Sequence, residues 1–97
     1  MKIYIAGPIT GLFDYRKNFK EAEQELIAKG HTVINPAYLP IGLKDYMPIC
    51  KAMIDQCDTV YFLKGWDVSI GALEEYEYVE NNEKVKRIYQ EIEVVKC

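Results

Sequence analysis

The sequence predicts an α/β domain in three layers, with a small, mostly parallel sheet covered by helices on both faces. Two kinds of observation carry this. Short apolar runs suited to buried strands alternate with longer amphipathic stretches suited to helices, in the order β-α-β-α-β-α-β. The joints carry stop signals, among them Gly7-Pro8 after the first strand, Gly30 after the first helix and Asn35-Pro36 after the second strand.

Lys2–Ala6 reads as the first buried strand, ended where Pro8 cannot continue a ladder. The loop Gly7–Phe13 carries two glycines and leads into a helix from about Asp14 to Lys29. Phe19, Ala22 and Leu26 give that helix an apolar stripe at 3 and 4 spacing, Asp14 is a candidate N-cap and Gly30 sits where a C′ glycine belongs. Thr32-Val33-Ile34 forms a short second strand, and Ala37–Lys44 a loop with Pro40 and Gly42. A second helix runs from about Asp45 to Gln56, with Pro48 in its first turn and Met47, Ala52, Met53 and Ile54 as apolar candidates. Thr59–Leu63 is the third strand, residues 70–82 the third helix and Lys86–Gln90 a fourth strand; the tail from Glu91 has no clear pattern.

At 97 residues the chain is expected to be one domain, 1–97, that buries roughly 65% of its unfolded surface. A site shared between subunits suits so small a core. With a net charge of −3 and no basic tract, a nucleic-acid polymer is not an expected partner. No apolar run reaches membrane-spanning length, and Met1–Gly7 is too short for a signal peptide. Cys50, Cys57 and Cys97 lack paired spacing and His31 is the lone histidine, so no metal site or disulfide framework is expected and a cytoplasmic location fits.

The segment from Trp66 to Glu75 follows the third strand and opens the third helix, where ligands sit in open α/β sheets. On a helical wheel Ala72, Leu73, Tyr76 and Val79 form the apolar stripe, with Glu74, Glu77 and Glu80 on its outer side. Glu75 falls at the opposite edge, between Val79 and Gly71. Helical side chains lean toward the N-terminus, so the Glu75 carboxylate reaches over a position without a side chain. Free N–H groups at the helix start suit a phosphate or hydroxyl, and Ser69 either caps that start or binds the same group. A plain strand-to-helix turn with a serine cap and an edge glutamate accounts for the same residues.

Two segments together resemble the nucleoside 2-deoxyribosyltransferase superfamily, which includes the 2′-deoxynucleoside 5′-monophosphate N-glycosidases. They are Tyr4-Ile5-Ala6-Gly7-Pro8-Ile9-Thr10-Gly11 and Gly65-Trp66-Asp67-Val68-Ser69-Ile70-Gly71-Ala72, and the resemblance spans about residues 2–90. It implies a flavodoxin-like, Rossmann-like fold and cleavage or transfer of the N-glycosidic bond of 2′-deoxynucleosides or their monophosphates. Glu75 matches the glutamate that attacks the anomeric carbon, and Tyr4 the tyrosine that hydrogen-bonds it. Ser69 matches a phosphate-binding serine, and Gly7 and Gly11 the glycines of the first loop; Pro8, Ile9 and Thr10 complete that loop. Gly71, Trp66 and Asp67 join the substrate-binding set. The implied partner is a small-molecule nucleoside or nucleotide, no cofactor is required, and a homo-oligomer is expected because family members complete the pocket with a neighbouring subunit.

Two positions depart from the family pattern. The family aspartate of the second helix is replaced by Cys50, a weak hydrogen-bond donor. Pro8 and Thr10 stand where the glycosidases carry serine and arginine for phosphate, leaving Arg16 or Lys17 as candidate charges. A nucleotide-binding protein without turnover is therefore the rival expectation, and a structural domain the third.

Several side chains remain open to more than one role. Trp66 suits stacking on a base, anchoring its loop or meeting another subunit. Asp67 suits a sugar hydroxyl or plain solvation. Cys50 and Cys57 suit core packing or a nucleophile, and His31 a surface or capping role or a general base. Tyr15, Tyr38 and Tyr46 fall near the loop side of the sheet, where a base pocket would lie.

Overall fold

The structure, a computed structural model, describes residues 1–9 and 15–90. Asp14, predicted to cap the first helix, and the tail from Glu91 lie outside the described residues. Four strands, β1 (Lys2–Ala6), β2 (Thr32–Ile34), β3 (Thr59–Phe62) and β4 (Lys86–Tyr89), form one sheet in the order β2-β1-β3-β4. Every pairing is parallel, with Tyr4 opposite Ile34 on one side and Val60 on the other. Helices α1 (Tyr15–Ala28), α2 (Met47–Asp55) and α3 (Ile70–Glu80) cover the two faces. This is a flavodoxin-like three-layer α/β fold. Among the described residues no helix is long and apolar enough to cross a membrane.

The period of two in β1 divides the core. Ile3 and Ile5 point to the α1 face, where they meet Phe19, Ala22 and Leu26. Tyr4 and Ala6 point to the other face, where Cys50 and Ile54 of α2 and Val79 of α3 pack with Val60 and Phe62. Both isoleucines are fully buried, each stabilising the fold by roughly 1.5–3 kcal/mol. The central strands β1 and β3 are apolar on both faces, as a parallel sheet between two helical layers requires; β2 and β4 form the less buried edges.

The predicted stop of α1 is built by hydrogen bonds. Gly30, at φ +91, donates to the Ile27 carbonyl at 2.9 Å, and the His31 N–H reaches back to Leu26 at 3.2 Å. Only a residue tolerant of positive φ closes a helix this way. The second helix begins two residues later than expected, at Met47, because the Asp45 carboxylate accepts the Met47 N–H at 3.1 Å and holds the chain just outside the helix. Its buried residues are Cys50 and Ile54, whereas Ala52 faces solvent. Asn35-Pro36 ends β2 as expected and then starts a short 3-10 turn, Pro36–Tyr38, capped by the Asn35 carboxamide on the Ala37 N–H at 2.9 Å.

In α3 the wheel is rotated from its predicted setting. The buried line runs through Ala72, Glu75 and Val79, while Leu73 is 38% exposed. One residue is 100° of helix, so a line centred on Glu75 turns Leu73 outward. The helix places its one buried carboxylate where an apolar residue is the ordinary choice.

Candidate active site

β1 and β3 are neighbours whose following helices lie on opposite faces of the sheet. Connections diverge at such a point and leave a crevice beyond the carboxyl ends of the strands. A cavity of about 310 Å3 occupies this place. Gly7 from the end of β1 lines it, together with Pro36 and Ala37 after β2, Cys50 of α2, and Ser69, Gly71 and Glu75 at the start of α3.

The approach of the two central strands depends on Gly7. A Cβ there would stand 2.8 Å from the Leu63 Cβ, so only a glycine lets the backbones come this close. Gly71 is the opposite case. A Cβ at Gly71 meets nothing within 4 Å and would project toward the cavity. Ser69 is the N-cap of α3; its hydroxyl accepts the Ala72 N–H at 3.4 Å.

Glu75 is 6% exposed and Tyr4 is 1% exposed. The Tyr4 hydroxyl donates to Glu75 Oε2. Burial pushes the Glu75 carboxyl up from its ordinary 4.5 to about 7; the Tyr4 hydrogen bond opposes that rise and the neighbouring Glu74 charge adds to it. Burial, and then the Glu75 charge, hold the Tyr4 phenol far above its ordinary value, so Tyr4 stays a donor at every working pH. Cys50 adjoins this pair, and burial raises its thiol as well. The arrangement is a carboxyl poised near neutrality, a fixed donor on it and a neutral thiol alongside. Poised, buried carboxyls of this kind concentrate at functional sites.

A family model described as a domain of unknown function, DUF4406, matches residues 1–87, a span that includes both Tyr4 and Glu75. The chain belongs to that family. No curated protein and no solved structure matches it.

In this DUF4406 chain the residues singled out by sequence separate into groups. Glu75, Ser69, Gly71, Gly7 and Ile9 line one cavity, and Tyr4 lies behind it on Glu75. Pro8 faces a separate, smaller pocket with Asn18, Glu21 and Lys64. Trp66 does not line the Glu75 cavity: its ring packs on Tyr76 at 4.9 Å, Phe62 at 5.0 Å and Tyr89 at 5.6 Å. That aromatic cluster anchors the 3-10 turn Trp66–Val68, in which Asp67 is exposed. Thr10 and Gly11 lie outside the described residues. Tyr15 and Tyr46 line the cavity, whereas Tyr38 is 67% exposed and bonded to Glu23.

Residues of the β2–α2 connection and the first turn of α2 also enter the wall, notably Pro36, Leu39, Ile41 and Met47, none of which the sequence marks as a site residue. The available signal was topological: the connection after β2 leaves the same end of the sheet as those after β1 and β3. Among the described residues no group of three or more histidine, cysteine, aspartate or glutamate side chains is placed to hold a metal ion.

Proposed function

We propose that this cavity binds a 2′-deoxynucleoside or its 5′-monophosphate and that Glu75 cleaves or transfers its N-glycosidic bond. The observation that supports this best is the Glu75–Tyr4 pair, a buried carboxyl with a fixed donor on one oxygen and a glycine-lined space beside it. The carboxylate attacks the anomeric carbon as the carbon–nitrogen bond breaks, and the base departs with the bonding electrons and takes a proton from solvent water. Water or a second base then attacks the same carbon and releases Glu75. An oxocarbenium-like transition state is cationic, so a carboxylate in a low-dielectric wall stabilises it. Tyr4 keeps the reacting oxygen in one orientation.

Binding without turnover is the second reading, and one observation favours it. Among the described residues the lining holds one ionisable carboxyl, Glu75, while its hydrogen-bond partner Tyr4 and the neighbouring Cys50 both hold their protons tightly. Among the described residues no second carboxylic acid lines the cavity to protonate the leaving base. A homo-oligomer belongs to the same proposal: Val68 and Ile70 flank Ser69 and are each 82% exposed, an apolar surface that a neighbouring subunit would cover. A monomer by light scattering at micromolar concentration contradicts that part.

The deciding experiment incubates the protein with a panel of deoxynucleosides and deoxynucleotides and follows free base by chromatography. Base release that vanishes in Glu75→Ala supports glycosidic chemistry. Thermal stabilisation by a deoxynucleotide with no release from any substrate supports binding alone.

A further inference from the structure

The wall formed by the β2–α2 connection and the start of α2 has a different chemistry from the Glu75 side. Leu39, Ile41, Tyr46 and Met47 supply it, and none offers a free polar side chain. The Tyr46 hydroxyl is spent within its own loop, donating to the Pro40 carbonyl at 2.5 Å and accepting from the Leu43 N–H at 3.2 Å. The Leu39 N–H is bonded to the Pro36 carbonyl at 3.0 Å, and Pro40 has no N–H to offer. Ile41 lines the cavity yet is 77% exposed, whereas Glu75 is 6% exposed. The buried carboxyl and the open isoleucine thus border the same cavity. An isoleucine held open at a cavity wall gains its contact only when a ligand sits there.

We propose that the segment from Leu39 to Met47 is the subsite for the leaving base, and that it selects the base by apolar contact and shape rather than by its hydrogen-bonding edge. The favoured substrates are deoxyribosides whose aglycone presents an apolar edge. Tyr46 is a positioning residue: its hydroxyl ties Pro40 to Leu43 across Gly42, whose φ is +90, and so presents Ile41 to the cavity. The assignment rests on the glycosidic reading above.

Three free aglycones of one shape test it: benzimidazole, purine and hypoxanthine, with increasing polarity along the edge. Titration calorimetry gives benzimidazole the tightest binding and hypoxanthine a Kd about tenfold weaker or more, since each polar edge group buried without a partner is penalised. Ile41→Ser weakens benzimidazole about tenfold with the subunit number unchanged. Tyr46→Phe weakens benzimidazole to a similar degree and raises KM for a deoxyriboside while kcat holds. Tighter binding of hypoxanthine overturns the proposal, as does an Ile41→Ser protein with unaltered affinity or an altered subunit number. A fall in kcat at constant KM removes the positioning role of Tyr46. Turnover of deoxyribosides without this aglycone order overturns the subsite alone. The predicted aglycone order with no turnover on any deoxyriboside overturns the glycosidic reading and leaves an apolar binding subsite.

Discussion

Replacing Glu75 by glutamine isolates the free energy held in one buried carboxyl. In the unfolded chain this group titrates near its ordinary 4.5, and in the folded protein at about 7. The folded state therefore binds the proton more tightly, and the stability gained is fully present below pH 4.5 and lost as pH rises through 7. At about 1.36 kcal/mol per pH unit, the whole difference is roughly 3 kcal/mol. From pH 5 to pH 8 the wild type should lose about 2–3 kcal/mol relative to Glu75→Gln. That is a large share of the roughly 5–15 kcal/mol that holds a domain together, and about 10–20 °C in Tm for a chain this size. Glutamine keeps an oxygen for the Tyr4 hydroxyl, so the variant removes the titration and little else. Asp58, whose carboxyl is held below its ordinary range by Thr59 and the Lys2 N–H, is common to both proteins and cancels in the difference. Urea unfolding by circular dichroism at pH 5, 6.5 and 8 reads the effect. Parallel pH profiles for the two proteins, or a wild type that gains on the variant as pH rises, would refute the reasoning.

Three further substitutions probe the same site. Tyr4→Phe removes the donor on Glu75, so the carboxyl should titrate at higher pH and any base-release profile shift with it, at a stability cost of about 1–2 kcal/mol at pH 8; an unshifted profile sinks the orienting role. Gly71→Ala meets open space, so Tm should hold or rise, by up to about 1 kcal/mol of helix preference, while ligand affinity falls about tenfold; unchanged affinity places the ligand elsewhere. Gly7→Ala sets a Cβ 2.8 Å from that of Leu63 and should destabilise the protein by about 1–3 kcal/mol in thermal denaturation, and an unaltered Tm shows that the strands part without strain.

The order of elements was legible because each carries its own signal. Phe19, Ala22 and Leu26 repeat with helical spacing, and Gly30 marks a stop that the structure builds with two hydrogen bonds. The candidate site was legible in part. Ser69 sits where a cap belongs, and Gly71 lies on the same face as Glu75. What sequence could not supply was anything decided between elements. Leu73 turns outward because α3 docks on the line through Glu75, a choice made by the partner surface rather than by the helix. Trp66 turns to the aromatic cluster because Tyr76 and Tyr89 wait there, ten and twenty-three positions further along the chain. Ile41 and Leu39 reach the cavity because Tyr46 folds their loop back, through backbone bonds that leave no composition signal.

The hydrogen bond from Tyr4 to Glu75 joins residues 71 positions apart, one in the first strand and the other in the last of the described helices. Most of the chain lies between them, so the bond reports on closure of the chain as well as on the site. Whatever peels β1 from the sheet or lifts α3 separates the two groups and returns the carboxyl to ordinary acidity. The proton on Glu75 is thus an internal gauge of completed folding. A probe that follows it, such as the carboxyl stretch in the infrared, would time the assembly of the site from the inside, with no ligand required.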